Sequence, residues 1–253
     1  MSTNSIRPTA AVRWDLSAAA LHLIAMTLML MDHLWATLLP AQEWLTCAGR
    51  LAYPIFAFLA VEGYFHTHDF KKYALRMLLL AEVPFDLMYG GTWFYPVHQN
   101  VIWTLLMGLL GIHLMEKARK TQKTWAYVLV SAGVVLAGAA LGTLCMVDYY
   151  GVGVLTIFVF YFFRQRTWWC LLGQVLALYW LNVELLGGLV YPVQLLGMDF
   201  ELCQQGLSLL ALVPIWLYRG RQGYHSKPFQ YACYGFYPVH MLLLFLVLSF
   251  VNR

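Results

Sequence analysis

Long apolar runs separated by short polar stretches fill the chain. They lie near 17–39, 45–65, 73–90, 100–116, 124–147, 149–163, 167–186, 204–218 and 230–251, with charges and prolines between them. The hydrocarbon core of a bilayer takes a helix of ~20 apolar residues, so each run reads as a membrane-spanning helix. Only Asp148-Tyr149-Tyr150-Gly151 separates the fifth run from the sixth, which predicts a tight turn relieved by a glycine. The expected fold is an all-α integral membrane protein, a polytopic bundle of about nine transmembrane helices. It forms a single transmembrane domain over 1–253, with a short polar segment at 1–16. The first run is too long for a signal-peptide core and lacks a small-residue cleavage site, so it is expected to be retained.

Composition agrees with this pattern. Apolar residues make up 61% and charged residues 11%, and mean hydropathy is +0.65. A soluble domain needs a charged shell, which these numbers do not supply. The sixteen Lys and Arg residues then orient the bundle. Arg7 and Arg13, Lys71, Lys72 and Arg76, Lys117, Arg119, Lys120 and Lys123, Arg164 and Arg166, and Arg219, Arg221 and Lys227 all fall on one side of the alternating runs. The opposite loops carry Glu43, Glu184, Asp199 and Glu201. The positive-inside bias puts the N-terminus in the cytoplasm and, with nine spans, the C-terminus outside. The net charge of +4 follows from this topology, and no nucleic-acid partner is expected. The five scattered cysteines, with no CxxC, read as ordinary buried thiols. There is no P-loop, dinucleotide fingerprint or HExxH, and no metal is expected.

Charges at membrane depth are costly, so they tend to face a cavity or a partner. The first run holds His22, Asp32 and His33, the second Arg50 and Glu62, and the third Glu82 and Asp86. Asn100 opens the fourth, and His240 lies in the ninth. His22 and His33 are eleven residues apart. On a helix this is ~20° from the same face and ~16 Å along the axis. Sorted by span direction, Asp32, His33, Arg50, Asp86, Asn100 and Asp148 could meet in the outer half of the bundle, with Glu62 and Glu82 deeper. His22 alone could be a helix–helix hydrogen bond, and Arg50 with Asp32 or Asp86 a structural ion pair. Asp32-His33 has fewer structural uses, because histidine exchanges protons near neutral pH. The Arg-rich Gly220–Gly223 loop could meet a phosphate.

Several motifs resemble the TraX family. They are Met31-Asp32-His33, the stretch from Ala48 to Phe58, Val61-Glu62-Gly63-Tyr64-Phe65-His66-Thr67, Glu82-Val83-Pro84-Phe85-Asp86-Leu87, His98-Gln99-Asn100-Val101, Asp148 to Leu155, and Phe236-Tyr237-Pro238-Val239-His240. That family takes its name from a conjugative pilin N-acetylase and is similar to the acyltransferase-three group of membrane acyltransferases. The resemblance implies a location in the bacterial cytoplasmic (inner) membrane and acetyl-CoA as donor. In the acyltransferase-three group a basic residue precedes a catalytic histidine by eleven positions. His22 stands where Arg or Lys is usual, and His33 takes the catalytic position.

Together these readings give an expectation. The chain would be a membrane-embedded acyltransferase moving an acetyl group from cytosolic acetyl-CoA to a hydroxyl or amine of a peptide, glycan or lipid at the outer side. His33 would be the general base, oriented by Asp32 or Asp86, with Arg50 and Asn100 stabilising the oxyanion. His22, Glu62, His66, Lys72, Arg76 and His240 would bind the donor. The alternatives are a small proton-coupled transporter, which the lack of an internal repeat weighs against, and a non-catalytic assembly subunit.

Overall fold

The structure is a computed structural model that describes residues 15–80, 98–195 and 197–251. The helices are α1 (Ala18–Thr37), α2 (Glu43–Gly49), α3 (Ala52–His66), α4 (Phe70–Leu79), α5 (Val101–Arg119), α6 (Thr124–Leu144), α7 (Tyr150–Phe162), α8 (Trp168–Tyr179), α9 (Leu212–Leu217) and α10 (Lys227–Val251). A π-helical turn (Trp180–Leu186) extends α8, and a 3-10 segment (Gln204–Ala211) leads into α9. Between them stand two antiparallel strands, β1 (Val190–Leu195) and β2 (Met198–Cys203).

Polar residues set where the helices start. Ser17 caps α1 by accepting from the Ala20 amide at 3.2 Å, Asp69 caps α4 from Lys72, Asn100 caps α5 from Ile102, and Thr167 caps α8 from Cys170. Each satisfies an amide that the first helical turn leaves free.

Six helical segments are long and apolar enough to cross a membrane: Ala18–Thr37, Glu43–His66, Val101–Arg119, Thr124–Leu144, Trp168–Leu186 and Lys227–Val251. Tyr150–Phe162 and Gln204–Leu217 are apolar but shorter. Of the nine expected spans, six are matched by these long segments and two by the shorter ones among the described residues. α4 covers the start of the third expected run, and the remainder of that run lies outside the described residues. The hairpin fills the gap between the expected runs at 167–186 and 204–218. Its Tyr191↔Leu202 and Val193↔Phe200 pairs put apolar side chains on one face, and Pro192↔Glu201 and Gln194↔Asp199 put more polar ones on the other.

The core forms around α7. Gly151, Gly153, Val154 and Thr156–Tyr161 are buried on it, with Val154 and Ile157 fully enclosed. Gly151 lets α6 approach: a Cβ there would lie 2.2 Å from the Ala139 carbonyl oxygen. By contrast, α6 exposes Val128, Leu129, Leu136, Leu141 and Leu144, the apolar exterior expected of a helix facing lipid.

The second expected run spans Glu43–His66 but carries a local irregularity. It breaks at Arg50-Leu51 between α2 and α3. The π turn that extends α8 and the 3-10 segment that leads into α9 are two more irregular stretches. Backbone irregularity at membrane depth persists only where it is buried in protein or lines a cavity, and these breaks bracket the polar centre.

Candidate active site

α1 brings Asp32 and His33 to the centre on different faces. Neighbouring helix positions point ~100° apart, so one partner does not serve both. Asp32 faces α2. Its Oδ1 accepts from the Thr46 hydroxyl at 2.7 Å and pairs with the Arg50 guanidinium. Gly49 makes the approach possible, since a Cβ there would lie 2.4 Å from Asp32 Cβ.

Arg50, at the break between α2 and α3, gathers the interrupted elements. It donates to the Thr46 hydroxyl at 3.0 Å, to the Thr46 carbonyl at 3.3 Å, and to Gln205 Oε1 at 3.5 Å. Gln205 in turn donates to Asn182 Oδ1 on the π turn at 3.1 Å, and Asn182 donates to the Leu178 carbonyl at 2.9 Å. Asp148 lies in the loop between α6 and α7. Burial pushes its carboxyl up to about 6, while nearby His98 and Arg50 pull the other way. Its backbone carbonyl accepts from the Thr104 hydroxyl at 2.8 Å.

His33 meets α10 instead. Its Nδ1 lies 2.7 Å from Nε2 of His240, and the rings lie 7° from parallel with centroids 4.9 Å apart. The other nitrogen of His240, Nδ1, is 2.6 Å from the Phe236 carbonyl oxygen. The expectation that Asp32 orients His33 is therefore corrected: Asp32 belongs to Thr46 and Arg50, and His33 belongs to His240. Asp86, the other expected orienting residue, and Glu82 lie outside the described residues. Asn100 is fully buried, and its Oδ1 serves the start of α5.

Below this centre lies a cavity of about 630 Å³, in the size range of small-molecule and cofactor sites. His22, Glu62, His66 and Arg76 line it, as do Met29 and Tyr237. Met29 is one turn before His33, and the Tyr237 ring stands 70° to that of His240. Four of the six residues expected to bind the donor thus share one cavity. Glu62 is held there by Arg164 at 2.7 Å. Arg76 lies 5.4 Å from the centre of the Tyr234 ring. Lys72 does not line the cavity; it points to Asp69 at 3.4 Å with its side chain 78% exposed. His240 sits on His33 and not on the cavity wall.

Sequence reasoning missed Thr46, Asn182 and Gln205. For Thr46 a signal existed, because it lies four residues before Arg50 and shares its helix face. Nothing local marked Asn182 or Gln205.

These features define a multi-pass membrane protein with ionisable side chains enclosed among its helices. The chain belongs to the TraX family, described as TraX protein, which it matches over residues 17–248. It is also 29% identical over 247 residues to the "Probable fimbrial assembly protein FimC, serogroup H1" of Dichelobacter nodosus, covering 91% of this chain and 95% of that one. No solved structure matches it. These findings overturn the function expected from sequence. Neither supports a general transferase from acetyl-CoA to peptide, glycan or lipid acceptors, nor a transporter. The TraX family is associated with pilin N-acetylation, and the relative is named for fimbrial assembly.

Proposed function

We propose that this chain works in fimbrial assembly in the bacterial inner membrane, by acetylating the N-terminal amine of a pilin subunit. The observation that carries the reading is the His33–His240 pair, which adjoins two residues of the cavity wall, Met29 one turn before His33 and Tyr237 against the His240 ring. A membrane subunit with a purely structural role has little use for two imidazoles bonded to one another beside a cavity of cofactor size. Family membership and the name of the relative supply the pilin.

In this reading the N-terminus is cytoplasmic, the whole chain acts as one transmembrane domain, and the cavity opens toward the inner face. His22, His66 and Arg76 would hold the donor, acetyl-CoA, whose thioester supplies the acetyl group. His33 takes the proton from the neutral pilin amine as the new C–N bond forms. It returns that proton to the thiolate sulfur as the C–S bond breaks, so the histidine ends as it began. Arg50 lies close enough to favour negative charge developing on the carbonyl oxygen, in surroundings of low dielectric.

The test is the mass of pilin purified from three strains: wild type, a deletion of this chain, and a deletion complemented with His33→Ala. Acetylated pilin is expected only in the first, with equal amounts of wild-type and His33→Ala protein in the membrane. Acetylated pilin in the deletion strain overturns the proposal. Lost fimbriae with unchanged acetylation would leave an assembly role without the chemistry.

A further inference from the structure

We infer that His240 is the positioning residue of His33 and decides which of its ring nitrogens carries the hydrogen. The functional use of this inference rests on the reading of His33 as the proton acceptor, but the tautomer itself does not.

His22 and His66 turn Nδ1 onto the carbonyl four residues back, at 2.9 and 2.8 Å. His240 does the same at 2.6 Å, to Phe236. Any helical histidine can make this contact without help from the fold. His33 departs from the pattern: its Nδ1 is directed across to α10, to a residue 207 positions away in sequence.

A carbonyl oxygen only accepts, so Nδ1 of His240 carries a hydrogen. In a neutral imidazole one nitrogen donates and the other accepts, so Nε2 of His240 is the acceptor. The 2.7 Å contact then requires a hydrogen on His33 Nδ1. His33 Nε2 is left with its lone pair and has no hydrogen-bond partner among the described residues. The Phe236 carbonyl, at the far end of this chain, thereby selects Nε2 of His33 as the basic atom.

The arrangement resists alternatives. Asp32, the adjacent acid, is committed to Thr46 and Arg50. The rings of Phe236 and Tyr237 flank His240, one stacked at 4.6 Å between centroids and the other edge-on at 5.8 Å. These contacts hold the His240 ring in the plane that meets His33. One further proton on the pair would reverse the roles: a doubly protonated His240 donates through Nε2, His33 Nδ1 becomes the acceptor, and Nε2 of a neutral His33 then carries the hydrogen. The arrangement works as a base only while the pair as a whole is neutral.

The experiment uses full-length, detergent-purified protein labelled with 15N-histidine, with the His33 resonances assigned by their loss in His33→Gln. Ring-nitrogen shifts report the tautomer directly. Wild type is expected to show His33 with its hydrogen on Nδ1. His240→Phe keeps a ring in place but removes the acceptor, so His33 should move to the Nε2–H form that histidine favours in water. His240→Gln, whose Oε1 can accept in place of Nε2, should restore Nδ1–H. Pilin acetylation should fall more than tenfold in kcat in His240→Phe with KM unchanged, and should recover in part in His240→Gln. An Nε2–H tautomer on wild-type His33, or an unchanged tautomer in a folded His240→Phe, overturns the inference. A tautomer that shifts as expected while acetylation proves independent of His33 upholds it and overturns the functional reading instead.

Discussion

The guanidinium of Arg50 and the carboxylate of Asp32 meet where α1 crosses the break between α2 and α3. Their side chains are only 17% and 20% exposed, and Thr46 bonds to both. The pair joins α1 to the broken helix, and Gln205 carries the join on to the 3-10 segment and the π turn.

Removing one member should cost more than removing both. Arg50→Ala leaves a buried carboxylate without its cation, and truncating a buried pair in this way costs about 3–5 kcal/mol. Asp32→Asn with Arg50→Gln removes both charges and should cost less than Arg50→Ala alone. Unfolding in mixed micelles gives the ranking. Equal stability of Arg50→Ala and wild type would show that the pair contributes nothing.

Gly49 and Gly133 make a matched test of close approach. Gly49→Ala drives a methyl into the stem of Asp32 and should destabilise by about 1–3 kcal/mol, as overpacking does, with lower activity. A Cβ at Gly133, also helical, meets nothing within 4 Å. Gly133→Ala should be neutral or stabilising by up to about 1 kcal/mol. Thermal melts of the two variants decide it, and similar losses in both would exclude a specific contact at Gly49.

Asp148 should make stability depend on pH between about 4 and 6. Its carboxyl is held up to about 6 in the folded chain, from an ordinary value of 3.8. The folded state therefore keeps a proton that the unfolded state has already lost. The stability it contributes is fully present below the unfolded value and is lost as pH rises through 6, an effect of about 2–3 kcal/mol at most. Asp148→Asn should flatten that part of the melting-temperature profile. A wild-type profile with no fall across this window would count against a buried, protonated Asp148.

Orientation is open to direct labelling. In a background with the five cysteines replaced, Thr121→Cys should react with an impermeant maleimide only in inverted vesicles. Asp199→Cys, on β2, should react in intact cells. The reverse pattern would invert the topology and put the cavity mouth on the outside.

Much of the scaffold was legible because hydropathy reports lipid contact directly: α1, α6 and α10 sit close to where their apolar runs predict. Span direction and depth narrowed the partner of Arg50 to Asp32 or Asp86, and the structure pairs it with Asp32. The breaks were not legible, because hydropathy averages over a run and is blind to whether its backbone hydrogen bonds continue. The 187–203 stretch reads as a loop, yet Tyr191, Val193, Phe200 and Leu202 alternate as strand residues do. The partner of His33 was hidden for a different reason. Asp32 is its neighbour in sequence, but helical geometry turns the two apart, and the true partner lies on the last helix.

α7 carries one more consequence. Its 13 residues extend only ~20 Å, too short to cross a ~30 Å hydrocarbon layer unaided, and neighbouring helices enclose most of its surface. Such a segment gains little by entering lipid alone. The tight turn at 145–149 tethers it to α6, which is long, apolar and turned outward. During synthesis α6 and α7 would be handed to the bilayer together, as a helical hairpin. The most enclosed helix among the described residues would then depend for its delivery on one of the most exposed.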